Sequence, residues 1–203
     1  MKKIRFISVI GVLAAGALQA QEVAPFSAHL GAGFVEPLGT FGRYNDLGWT
    51  VGGGAGINFG EWVSVMLDAN FNNMGVNRTT LDFLGAPGGT DQIWSFTLDP
   101  QVHVIRTSHF DVYLTGGGGI YRLQQQLTAP GSGFIATPFG GLPTFGNMVV
   151  SSYSVNRPGF NAGAGINLGT AWRAKFYLEA RYNRAFTNNA PTDYLPVTFG
   201  IRF

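Results

Sequence analysis

The chain has 203 residues, of which 45% are apolar, 14% aromatic and only 12% charged, with 30 glycines and no cysteine. This length suits a single domain, and sparse charge on an apolar chain excludes intrinsic disorder. The absence of cysteine excludes a disulfide scaffold, a thiolate metal site and a lipid-modified N-terminal cysteine.

The first residues read as an export signal. Lys2, Lys3 and Arg5 precede an apolar run over 6–18, well short of the ~20 residues a spanning helix needs. Small residues follow, giving a signal peptide over 1–20 cut after Ala20, with Ala17 as the alternative, and a mature chain over 21–203. Its loss removes three of 13 basic residues and no acid, leaving 10 against 11 and a net charge of −1. A balance so near zero takes away the main support for a nucleic-acid partner.

Beyond residue 18 no stretch is long and apolar enough for a membrane helix, and an alternating period of two recurs instead. The first strand, 26–35, sets Phe26, Ala28, Leu30, Ala32 and Phe34 against Ser27, His29, Gly31 and Gly33. A connection with Pro37, Gly39 and Gly42 leads to strand two, 48–59, with Trp49, Val51, Ala55, Ile57 and Phe59 on one face. After Gly60-Glu61, strand three (62–72) alternates Val63, Val65, Leu67, Ala69 and Phe71 with Ser64, Met66, Asp68, Asn70 and Asn72. A polar connection over 73–91 precedes strand four, 92–105, where Trp94, Phe96 and Leu98 oppose Ser95, Thr97 and Asp99. Pro100 falls on the apolar face and predicts a bulge or a break in the ladder.

Strand five, 110–122, carries Val112, Leu114 and Ile120 on one face around Gly116 to Gly119. The longest connection, 123–156, is rich in Gly, Pro, Ser and Phe, although Met148 to Val155 can equally extend strand six. Strand six covers 157–168. Strand seven, 172–183, sets Ala174, Phe176, Leu178, Ala180 and Tyr182 against Arg173, Lys175, Tyr177, Glu179 and Arg181. The last strand, 195–203, alternates Leu195, Val197, Phe199, Ile201 and Phe203 with Pro196, Thr198, Gly200 and Arg202.

Eight strands of about the 9–11 residues that cross a bilayer, joined by alternately long and tight connections, predict an all-β fold. Its form is an eight-stranded antiparallel up-and-down transmembrane β-barrel. Gly54-Ala-Gly-Ile-Asn-Phe-Gly60 is echoed by Gly163-Ala-Gly-Ile-Asn-Leu-Gly169 with the same face parity, half a barrel away. A soluble barrel such as a lipocalin would put its polar face to water and carry much lysine there. The mature chain has one lysine, Lys175, so the polar face suits a narrow lumen and the apolar face lipid. Aromatics near strand ends are expected to form the two girdles: Phe26, Phe34, Trp49, Phe59, Trp62, Phe71, Trp94, Phe110, Tyr121, Trp172, Tyr182, Tyr194 and Phe203.

With its export signal, alternating strands, Gly-rich strand centres and terminal Val197-Thr-Phe-Gly-Ile-Arg-Phe203, the chain resembles the small outer-membrane barrels. That family includes the barrel domain of OmpA, OmpX and the opacity-type adhesins. The resemblance implies residence in the outer membrane of a Gram-negative bacterium as a monomer, in contact with lipid and lipopolysaccharide. It implies insertion by the barrel-assembly machinery, read from Leu195, Val197, Phe199, Gly200, Ile201 and Phe203. Because its sequence stops at the last strand, it is expected to lack the appended peptidoglycan-binding domain of OmpA-type proteins.

Three places carry possible chemistry. Asp68, Asp99, Lys175, Glu179 and Arg181 project inward, and strands three and seven face each other, so Asp68 can reach Lys175 or Arg181. Charges of both signs in a low-dielectric lumen predict an ionic plug, with a narrow small-solute channel as the alternative. Phe134, Phe139 and Phe145 in the longest connection are candidates for contact with an extracellular partner. Catalysis has little support: Ser95, Asp99 and His103 share a face, but four residues along a strand span roughly 13 Å, too far for a hydrogen-bonded triad. A lipid A-modifying barrel enzyme is the remaining alternative. The three histidines show no metal-ligand spacing, and neither a metal nor a cofactor is expected.

Overall fold

The computed structural model describes residues 24–107, 110–137, 140–169, 174–188 and 190–203, and no side chain within 132–147. Eight strands close into one antiparallel barrel in sequence order. They are β1 (Phe26–Leu38), β2 (Gly48–Asn58), β3 (Val63–Gly75), β4 (Gly88–Arg106), β5 (Phe110–Thr137), β6 (Gly140–Gly169), β7 (Lys175–Ala185) and β8 (Thr192–Arg202). The ring closes where β1 pairs with β8, from His29↔Arg202 to Leu38↔Asp193. The backbones of Ala28 and Phe203 add two reciprocal bonds below that, at 2.8 and 3.1 Å.

The period of two explains the section of the barrel. Lipid-facing positions such as Leu30, Leu67, Phe96, Leu98, Leu114, Leu178 and Phe199 are exposed, and their polar neighbours are buried. A closed barrel satisfies every strand's backbone groups within the sheet, which lets apolar side chains face hydrocarbon. Outward aromatics pack at tilted angles across neighbouring strands, Trp49 against Phe71 at 5.3 Å and Phe71 against Trp94 at 4.7 Å between ring centres.

The middle of the inward face of β2, past the buried Thr50, is made of Gly52, Gly54 and Gly56. A Cβ at each would overlap Asn70, Asp68 and Met66 of β3 in turn. Absence of side chains on this one stave lets its neighbour fold over it and fill a narrow lumen.

Three differences from the sequence reading have physical causes. The connection over 123–156 is mostly strand: β5 and β6 pair continuously to Thr137↔Gly140, with one register shift at Leu127/Thr128. Its Gly, Pro and Ser content reads as loop, yet two chains that already run antiparallel keep pairing beyond the membrane. The connection over 73–91 contains a helix, α1 (Arg78–Leu84), capped by Asn77 Oδ1, which accepts from the Thr80 N–H at 2.9 Å, and ended by Gly85 at φ 65°. Pro100 breaks one ladder as expected: it stays opposite Val65, but β4 and β5 do not pair at Asp99 and Pro100, and a register shift follows between His103 and Ile105. Tyr121 and Tyr194, placed above in the outer girdles, are fully buried inside the barrel. Trp172 and the signal segment 1–20 lie outside the described residues.

Candidate functional site

The lumen is layered. At its centre one guanidinium gathers three carboxylates from three strands. Arg181 of β7 lies 2.8 Å from Asp68 of β3, 2.6 Å from Asp99 of β4 and 2.7 Å from Glu179 on its own strand. Glu179 and Arg181 share a face because they are two residues apart, and the Arg181 Nε–H donates to Glu179 at 2.9 Å.

Asp99 and Glu179 have further donors, whereas the Asp68 Oδ1 has no hydrogen-bond partner. Asp99 accepts from Thr97 at 2.6 Å and from Asn161 at 2.8 Å. Glu179 accepts from the Tyr113 hydroxyl at 2.8 Å. Asp68 lies 3.6 Å from His29 of β1. Charges held out of water require this density of partners, since an unmatched ion costs several kcal/mol. A further cation, Arg202 of β8, approaches indirectly. It donates to the Tyr113 hydroxyl at 3.3 Å and to Gln101 at 3.2 Å, and stacks over the Tyr113 ring at 4.6 Å. Every strand except the glycine-faced β2 therefore contributes a side chain to this layer or its support.

Little space remains in the layer. The void beside Arg181, Glu179, Asn183 and Thr198 measures about 10 Å³, room for roughly one water. Toward the end with the long connections, Val35, Met74, Ile93, Tyr121, Ala185 and Tyr194 form a buried apolar layer, with Phe41 and Leu123 packed on it. The Tyr121 hydroxyl donates to Asn183 at 3.3 Å, linking the apolar layer to the ionic one. At the other end a vestibule of about 200 Å³ holds Lys175, Arg202, His103 and Asp111. There His103 and Asp111 lie 2.6 Å apart.

Of the inward charges read from the sequence, Asp68, Asp99, Glu179 and Arg181 come together, and Asp68 meets Arg181. Lys175 does not join them: it opens β7 and lines the vestibule. Ser95, Asp99 and His103 are not assembled either, because Asp99 is bound into the arginine cluster and His103 is paired with Asp111.

The sequence reading missed Tyr113, Asn161, Thr97 and His29 as members. Face parity was the available signal for Tyr113, Tyr121 and Tyr194: Val112, Leu114 and Ile120 point out, so odd positions of β5 point in, and even positions of β8 do likewise. Leu195, Val197, Phe199, Gly200, Ile201 and Phe203 lie on β8 or directly after it, at the closing seam. Phe134 and Phe145 belong to the paired β5–β6 extension, but their side chains, and all of Phe139, lie outside the described positions.

The family model of the outer membrane protein beta-barrel domain matches residues 6–203. Among solved structures, neisserial surface protein A has 13% identity and a TM-score of 0.57, over 88% of this chain and 96% of that one. Ail, the attachment invasion locus protein of Yersinia pestis, solved with the heparin analogue sucrose octasulfate, has 15% identity and a TM-score of 0.48, over 89% and 100%. OprG of Pseudomonas aeruginosa has 15% identity and a TM-score of 0.48, over 88% and 95%. No curated protein sequence matches significantly.

Proposed function

The chain belongs to the outer membrane protein β-barrel domain family, and from that premise we propose a monomeric, non-catalytic barrel with a closed lumen and a structural or adhesin-like role. The observation that carries the closed lumen is the Arg181 cluster, which spans the interior between opposite strands and leaves about 10 Å³ beside it. The apolar layer around Tyr121 and Tyr194 supports the same reading. The test is planar-bilayer recording of the purified barrel. Silence is expected; a steady ohmic current would favour a narrow small-solute channel. Unchanged lipid A mass spectra on overexpression are expected, and altered acylation would establish an enzyme instead.

The same proposal includes export by a signal over 1–20, contact with outer-membrane lipid and lipopolysaccharide, and insertion by the barrel-assembly machinery through the β8 seam. Surface interaction is assigned to the β5–β6 extension, with Phe134, Phe139 and Phe145 as its contact residues. Its support is length: the two strands run on to Thr137 and Gly140, beyond the last pairing of β5 to β4 at Thr128. Deleting 130–146 is expected to leave folding intact and abolish attachment of expressing bacteria to host cells or matrix. Attachment at the parental level would end that assignment.

A further inference from the structure

Above the apolar layer the barrel widens into a cup. A hollow of about 380 Å³ lies between Phe41, Tyr44 and Arg157, and joins one of about 170 Å³ that reaches Asp91 and Gln125. The two share Phe41, Tyr153, Val155 and Thr187, so they form one depression. Ligand sites commonly measure about 300–1,000 Å³.

The aromatic surface of this cup is not explained by lipid. Tyr153, Val155 and Arg157 continue the lumen-facing column of β6, opposite Gln125, Leu123 and Tyr121 of β5. That column looks toward the barrel axis, where no acyl chain reaches. Tyr153 nevertheless remains 64% exposed and Tyr44 52% exposed. Phe41 lies between them and the apolar layer below.

The cup is also preformed. The Asp46 N–H donates to the Gly75 carbonyl and the Asn77 N–H to the Tyr44 carbonyl, each at 2.8 Å, and Asn45 bridges to Val76. These bonds tie the first outer loop to the second. Across the cup Arg184 holds Asp193 at 2.7 Å, anchoring the β7–β8 loop. A wall ordered before binding spares the ligand the cost of ordering it.

Among the described residues lining the cup, the charges are one arginine, Arg157, and one carboxylate, Asp91. They offset each other. A polyanion would call for several cations, and a cationic ligand for several carboxylates. The other polar lining is amide and hydroxyl, Gln125, Asn188 and Thr187, groups able to donate and accept. Aromatic faces carry the negative lobe of a quadrupole and attract the polarised C–H face of a sugar ring.

We propose that this cup binds the terminal unit of a neutral glycan. Tyr153 and Tyr44 stack on its rings, and Gln125, Thr187 and Asn188 hydrogen-bond its hydroxyls. The apolar floor makes the site a dead end, so it captures a ligand without passing it inward. The assignment goes beyond the surface-interaction reading, because deletion of 130–146 leaves every named cup residue in place.

The test uses the barrel purified from outer membranes into lipid nanodiscs. Probes are maltotriose, chitotriose and lacto-N-tetraose, with a heparin hexasaccharide as the charged comparison, read by saturation-transfer NMR and calorimetry. At least one neutral probe is expected to bind, about tenfold or more weaker in Tyr153→Ala and nearly unchanged in Arg157→Gln. Tyr44→Ala serves the same purpose if Tyr153→Ala fails to fold. Binding of heparin alone with its loss in Arg157→Gln, or no binding by any neutral probe, overturns the proposal.

Discussion

The ring of Tyr113 occupies the space that a side chain on Gly165 would need. The two are direct partners across β5 and β6, and a Cβ on Gly165 would overlap the ring and hydroxyl. This glycine is required by close approach, since the ring must lie flat to bring its hydroxyl to Glu179. Gly165→Ala is expected to cost about 1–3 kcal/mol of unfolding free energy, the range for overpacking. Urea titration of the barrel in lipid vesicles measures it. Combined with Tyr113→Ala, the loss should be smaller than the two single losses added together, because the clash is then gone.

Arg181 and Lys175 are both inward cations of β7, and they are expected to behave differently. Arg181→Gln leaves Asp68, Asp99 and Glu179 facing one another without their shared partner. Removing one side of a buried ion cluster costs about 3–5 kcal/mol. Lys175→Gln removes a half-buried charge at the vestibule and should change stability by about 0.5 kcal/mol or less. Migration of unboiled samples on gels at rising temperature separates the two. Equal shifts would contradict the central role of the arginine. Glu179→Ala should also lower the melting temperature, since it strands the Tyr113 hydroxyl.

Much of this arrangement was legible in the sequence, and the reasons for the rest are specific. Alternation assigns each strand residue to a face with no knowledge of tilt, so Asp68, Asp99, Glu179 and Arg181 were identifiable as lumen residues. Height in the barrel depends on the stagger between strands, which alternation does not encode. Lys175 was therefore grouped with charges that sit deeper. Tyr121 and Tyr194 show two rules in conflict: parity sends them inward, and their strand-end position suggests a girdle. Parity prevails because a one-residue slip would turn every other side chain of the strand over as well. The β5–β6 extension was obscured because its pairing depends on cross-strand neighbours, while its composition is that of loops.

If the lumen is closed as proposed, two layers in series close it, and this ordering is testable. Tyr194→Ala opens the apolar layer but leaves the Arg181 cluster across the path, and a cluster variant leaves the apolar layer. Each single variant is expected to remain silent in planar bilayers. Tyr194→Ala combined with Glu179→Ala should show current if it folds. Current from Tyr194→Ala alone would mean that the ionic layer does not close the lumen.

Phe203 lies just past β8, with its side chain exposed and its backbone bonded to Ala28. If the terminal strand is the assembly address, Phe203→Ala should lower the amount of folded protein in cells. Refolding of the same variant from urea into vesicles should stay near the parental yield. Equal losses in both settings would make Phe203 a packing residue only.

The pairing of β1 with β8 has a consequence for synthesis and turnover. The barrel's first strand is partnered by its eighth, so no shorter part of the barrel can close on itself in the same way. A chain missing only its final stave exposes two unpaired edges at once, one on β1 and one on β7, each offering free backbone groups to any passing strand. Completion of the barrel is thus a single event, the pairing of β8 with both of its neighbours. A truncated product is distinguished from the finished one by a qualitative defect, two open edges, which a protease or chaperone can recognise without reading any side chain.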